Sequence, residues 1–116
     1  MKIVTFLTLV LLGMSTHPAD AQLLPTKLRV TVIDGLGNFV GGASVSIYET
    51  EEDYLAGENA VAMLKTDKKG RVVFKDLKPI TYYLEARKGD MKNDGEGVVT
   101  SPLSEGRINR VNTVIE

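Results

Sequence analysis

The chain has 116 residues, one histidine, no cysteine and no tryptophan, and a formal net charge of −1. That length supports one folded domain. The missing cysteine excludes a disulfide framework and thiolate metal sites, and the balanced, interspersed charge excludes the broad positive field that nucleic acid or an anionic membrane requires.

The chain opens with the three-part pattern of an export signal. Lys2 precedes an almost unbroken apolar run over residues 3–14, and Ser15, Thr16, His17 and Pro18 break it. Ala19-Asp20-Ala21 then places small residues at the two positions a signal peptidase reads. The run is shorter than the about 20 residues a bilayer-spanning helix needs. A signal peptide is therefore expected over residues 1–21, cleaved between Ala21 and Gln22, with one domain over residues 22–116. The protein is expected in the periplasm or outside the cell. A domain of this size buries roughly 60–65% of its extended-chain surface, so side-chain packing alone must hold it.

Leu28-Arg29-Val30-Thr31-Val32 alternates apolar and polar residues, the period of a half-buried strand. Asp34-Gly35-Leu36-Gly37-Asn38 is a turn, and Ala43-Ser44-Val45-Ser46-Ile47-Tyr48 is a second alternating run. Its period points Ala43, Val45 and Ile47 inward and Ser44, Ser46 and Tyr48 outward. Residues 49–59 are acidic, with Tyr54 and Leu55 embedded, and could hold one helical turn capped by Thr50. Residues 60–65 form a third strand, Thr66-Asp67-Lys68-Lys69-Gly70 a turn, and Arg71-Val72-Val73-Phe74 a fourth strand.

Leu77 is expected to plug the core at the following corner, and Pro79 fits the start of a strand. The fifth strand spans residues 81–87, with Tyr82, Leu84 and Ala86 on one face and Tyr83, Glu85 and Arg87 on the other. Residues 88–97 read as a polar loop whose tight turn lies at Asn93-Asp94-Gly95. Val98-Val99-Thr100 is expected to return beside the fifth strand. Residues 107–116 form the last strand, with a bulge, because its apolar residues do not keep one register. Seven short strands, turns about every ten residues and no long helical pattern predict an all-β sandwich.

The order of signals carries a resemblance. A first strand ends in Asp34, Gly37 lies in the turn, and Val40-Gly41-Gly42-Ala43-Ser44-Val45 opens the next strand; Thr66-Asp67-x-x-Gly70, Phe74, Leu77, Tyr82, Tyr83 and Leu84 follow. This resembles the carboxypeptidase regulatory-like domains, which belong with the transthyretin-like β-sandwiches. The resemblance implies a seven-stranded Greek-key sandwich, and a regulatory, spacer or carbohydrate-associated role rather than one chemistry. Pilin-type sandwiches share the pattern and form a Lys–Asn isopeptide bond beside a buried acid. The matching positions here are Val32, where the lysine would be, and Ala86, where the acid would be. The cross-link is therefore rejected, and Asn109 and Asn112 are read as exposed or edge-strand residues.

Catalysis has few candidates. The single histidine, His17, lies in the signal, so the mature domain lacks the usual general base and transition-metal ligand. Gly35 and Gly37 sit between strands and serve a turn rather than a phosphate loop. Asp90, Asn93, Asp94 and Glu96 could supply oxygens to calcium, but their spacing does not match the alternating calcium loop, and they are read as a solvated turn. The remaining candidates are a binding surface of Tyr48, Tyr54 and Tyr83 beside the acidic 49–59 segment, able to stack on a sugar or anchor a protein. The expectation is a non-enzymatic module without cofactor or metal. Its partner would be another exported or cell-surface protein. The alternative is a small protein that binds a glycan or other ligand through the tyrosines.

Overall fold

The structure, a computed structural model, describes residues 24–95 and 97–116. The expected signal peptide, its cleavage site at Ala21 and Gln22, and Glu96 lie outside the described residues. In chain order the elements are β1 (Lys27–Asp34), β2 (Ser44–Tyr48), α1 (Glu51–Ala56), β3 (Ala62–Lys65), β4 (Arg71–Phe74), β5 (Tyr83–Lys88), β6 (Met91–Lys92) and β7 (Ile108–Ile115). They form a three-stranded sheet, β4-β1-β7, and a four-stranded sheet, β3-β2-β5-β6. β1 and β7 run parallel from Lys27↔Ile108 to Asp34↔Ile115. The other pairings are antiparallel. The fold is the expected all-β, seven-stranded sandwich.

Period 2 builds its interior. Leu28, Val30 and Val32 of β1 face Val45 and Ile47 of β2, Val72 and Phe74 of β4, Leu84 and Ala86 of β5, and Ile115 of β7, all buried in one cluster. Each large side chain so buried contributes about 1.5–3 kcal/mol. Tyr82 is also in the core, and its hydroxyl accepts the Lys78 N–H at 3.0 Å, so the polar tip is satisfied. Leu77 packs half-buried against the same cluster, and its N–H donates to Thr26 O at 3.0 Å.

The turns follow from their side chains. Asp67 Oδ1 accepts the N–H groups of Lys69, at 2.8 Å, and Arg71, at 3.0 Å. Gly70 sits at φ 72° with its α-carbon so close to β1 that a Cβ would lie 2.7 Å from Val32 O. Only glycine meets both demands. Thr66 locks the neighbouring corner: its hydroxyl donates to Val40 O at 2.7 Å and accepts the Ala43 N–H at 2.9 Å. The acidic segment forms α1, where Thr50 Oγ1 accepts the Asp53 N–H at 3.1 Å and Gly57 ends the helix at φ 67°.

Three expectations are corrected. The tight turn of residues 88–97 is at Gly89-Asp90, which joins β5 to β6 with Lys88 paired to Met91. Gly89 takes the positive φ, 61°, that the first position of a two-residue hairpin turn accommodates. Asn93 is consequently drawn inside instead of heading a turn. Second, Val98-Val99-Thr100 does run beside β5, but as a single bridge, Tyr83↔Val99, flanked by bonds from Leu84 N to Val98 O and Thr100 N to Tyr82 O. β6 takes its place as a strand. Third, β7 has no bulge, and its register with β1 is unbroken. Its apolar residues drift in sequence only because Ile108 and Val114 lie on the outer face while Val111 and Ile115 lie on the inner one.

Candidate functional site

The outer face of the four-stranded sheet gathers the candidate tyrosines. Tyr48 and Tyr83 are register partners on β2 and β5. They point away from the core because their neighbours Ile47 and Leu84 point into it. α1 lies over them and brings Tyr54 into contact with both. The Tyr48 and Tyr54 rings meet edge to face at 5.9 Å and 74°. The Tyr54 and Tyr83 rings are tilted by 30° at 6.2 Å. Tyr48, expected to be exposed, is only 3% exposed, because α1 covers it. Tyr54 and Tyr83 are half-buried. Burial raises the Tyr54 phenol above its ordinary value of 10.0, and the charges of Glu85 and Asp94 add to the rise.

Carboxylates rim this cluster. Glu49 pairs with Lys78 at 3.3 Å, and Glu85 with Arg87 at 3.2 Å. Asp53 Oδ1 accepts Asn59 Nδ2 at 3.1 Å, which pins Asn59 at φ 60°. Glu51, Glu52 and Glu58 are exposed. β3 is the outermost strand of its sheet, paired on one side only. Val61, Met63 and Leu64 are exposed there. Sequence reasoning missed this patch because the third strand carries no clear alternation.

The calcium candidates do not converge. Asn93 is 2% exposed. Its Oδ1 accepts the Ala86 N–H at 2.9 Å, and its Nδ2 donates to Leu84 O at 3.0 Å and Thr113 Oγ1 at 2.9 Å. Asp90 is exposed in the hairpin turn, and Asp94 lies 3.9 Å from Lys92 Nζ. Among the described residues no group of three or more histidines, cysteines or carboxylates is placed to hold a metal.

The cross-link positions are filled by other chemistry. Val32 pairs in register with Thr113, and Val32, Ala86 and Thr113 are all fully buried. Asn112 is exposed on the opposite face. Asn109 holds the loop before β7: its Nδ2 donates to Lys27 O at 3.1 Å and Ser104 O at 3.1 Å, and its Oδ1 accepts Ser104 N–H at 2.8 Å. Two of the clefts among the described residues are small. One of about 140 Å³ is lined by Lys92, Asp94, Val114 and Glu116, and one of about 210 Å³ lies at the β5–β6 hairpin. Small-molecule sites usually span about 300–1,000 Å³. Among the described residues no helix is long and apolar enough to cross a membrane.

No family model and no curated protein matches the chain. Solved structures do match in shape. The Bacillus anthracis TIE protein superposes with a TM-score of 0.59 at 21% identity, over 79% of this chain and 17% of that one. The group B streptococcus pilus 2b backbone protein gives 0.52 at 17%, over 78% of this chain and 40% of that one. Chlorocatechol 1,2-dioxygenase from Pseudomonas putida gives 0.52 at 17%, over 80% of this chain and 60% of that one. The chain thus spans less than two thirds of each. One sandwich fold is common to a pilus backbone protein and a dioxygenase, so this likeness establishes the fold and leaves function to the residues the fold displays.

Proposed function

We propose that the chain is a non-enzymatic, exported β-sandwich module of the carboxypeptidase regulatory-like type, with a structural or protein-interaction role. Its partner is another exported or cell-surface protein. The observation that supports this reading is the unpaired edge of β3, where Val61, Met63 and Leu64 stand exposed. Free edges of soluble sheets are ordinarily blunted by charge, proline or a bulge. This one is apolar and suits strand addition or apolar docking. A photo-reactive residue at position 63, introduced in exporting cells, tests it. One discrete adduct with another protein, absent when the probe is at Lys68, is expected. Equal labelling at both positions, or none, overturns the reading.

A second reading has one observation in its favour. The half-buried rings of Tyr54 and Tyr83 form a tilted pair on which a sugar ring could lie. It predicts a thermal shift with one sugar class that disappears in Tyr54→Ala. The burial of Tyr48 leaves this platform smaller than the sequence suggests.

A further inference from the structure

The outer face of the three-stranded sheet is made of alternate residues from its strands. Antiparallel register sets Arg29 opposite Val73 and Thr31 opposite Arg71. Parallel register sets Lys27 beside Ile108, Arg29 beside Arg110 and Thr31 beside Asn112. The intervening Leu28, Val30, Val32, Val72 and Phe74 are buried in the core, so this set faces outward. It holds Lys27, Arg29, Arg71 and Arg110, and none of its members is acidic. Val73 and Ile108 are exposed among the cations.

Two features of this face are unfavourable. Arg29 and Arg110 are adjacent across strands, and like charges so placed repel. Arg29 Nε is also buried without a hydrogen-bond partner. The ion pairs among the described residues are Lys78–Glu49, Arg87–Glu85 and Lys92–Asp94. None uses Lys27, Arg29 or Arg110. Asp67, at the neighbouring turn, interacts electrostatically with Arg71 alone of this set.

The α1 segment on the opposite side of the sandwich is the complement, although Lys65 and Arg87 share that face and Lys78 pairs with Glu49. Residues 49–61 contain Glu49, Glu51, Glu52, Asp53 and Glu58 and no lysine or arginine. Their helix α1 lies on the outer face of the other sheet, against Tyr48 and Tyr83. Both sheets separate the two faces, so they cannot meet within one molecule. The small net charge of −1 opposes the approach of a second copy only weakly.

We propose that the basic outer face of the three-stranded sheet docks the acidic α1 face of a second copy of this chain. The proposal rests on the interaction reading and names a partner for it. Leu55 of one copy meets Val73 of the next, while Glu51 and Glu52 face Arg29 and Arg110. Because the two surfaces differ and lie on opposite sides of the sandwich, the contact is head-to-tail and each copy leaves a free face for the next, so copies add in a row or a ring.

Sedimentation velocity on the full exported protein tests this, at about 0.02 M and about 0.5 M salt, which bracket a long and a short screening length. Mass should rise with protein concentration at low salt and fall to that of the monomer at high salt. R29E/R110E and E51K/E52K should each be monomeric alone. Their equimolar mixture should associate again, because one variant keeps the acidic face, the other keeps the basic one, and the two reversed faces also attract each other. Recovery in the mixture also shows that both variants are folded. A monomer at low salt and the highest soluble concentration overturns the proposal, as does association that R29E/R110E leaves intact. So does retention on an anionic polysaccharide, lost in R29E/R110E, without self-association. If self-association fails while the probe at position 63 still captures a different protein, only this proposal falls; if both fail, the interaction reading falls with it.

Discussion

The Asn93 side-chain amide donates to the Thr113 hydroxyl at 2.9 Å, joining the end of β6 in one sheet to β7 in the other. The same side chain serves Ala86 N–H and Leu84 O, two backbone groups of β5 that β6 is too short to reach. Asn93 thus stands in for a missing piece of strand. Removing it leaves buried polar groups unpaired, each at a cost of about 1–3 kcal/mol. Asn93→Ala is expected to lower unfolding stability by about 3 kcal/mol and Thr113→Val by about 1 kcal/mol. Asp94→Ala should change little. Urea denaturation checks all three.

Gly70 and Gly57 have nearly the same backbone angle, φ 72° and 67°, in different surroundings. A Cβ at Gly57 would meet nothing within 4 Å, whereas one at Gly70 would lie 2.7 Å from Val32 O and 3.0 Å from Val40 N. Gly57→Ala is expected to cost about 1 kcal/mol, the left-handed penalty alone. Gly70→Ala adds a backbone clash and should cost about 3 kcal/mol or more. Equal midpoints for the two variants in thermal melts would contradict the packing at β1.

Asp34 and Asp67 predict the acid limb of stability. The N–H of Asn38, foremost, and that of Leu36 hold Asp34 below the ordinary carboxyl value of 3.8. The N–H groups of Arg71 and then Lys69 do the same for Asp67. Unfolding returns both to the ordinary value. Their contribution is therefore complete above that value and is lost as pH falls through the lower folded ones. Asp34→Asn and Asp67→Asn keep an acceptor oxygen but cannot titrate. Each should flatten the fall of the urea midpoint with acid below about pH 4.

The raised Tyr54 phenol gives the opposite limb. Burial and the Glu85 and Asp94 charges keep it protonated above its ordinary value of 10.0. Its stabilising effect is whole below that value and fades as pH climbs through the folded one. In an ultraviolet titration Tyr54→Phe should delete a late-ionising component, and Glu85→Gln should move that component to lower pH.

Most of the fold was legible because it rests on local alternation. β1, β2, β4 and β5 follow period 2, and Asp67 and Gly70 mark their turn unmistakably. The misreadings share a physical origin in long-range pairing. Asn93-Asp94-Gly95 has turn chemistry, yet Gly89-Asp90 reverses the chain first, and Asn93 is then captured by Ala86 and Leu84. β7 pairs parallel with a strand some eighty residues earlier, so nothing beside it in sequence sets its register. The candidate site was legible residue by residue but not as an assembly. Tyr48 was correctly assigned to the outer face, but only the seating of α1 on that face reveals that Tyr54 covers it. The basic face went unnoticed because its cations come from three strands that are remote in sequence.

The parallel pairing of β1 with β7 has a mechanical consequence. Lys27 begins one strand beside Ile108, and Ile115 ends the other beside Asp34. Tension that draws Leu24 and Glu116 apart therefore slides the two strands lengthwise past each other and loads the inter-strand bonds together. A hairpin pulled at its open end would instead surrender its bonds one at a time. Stretching the sandwich along these two strands therefore meets all of their bonds at once.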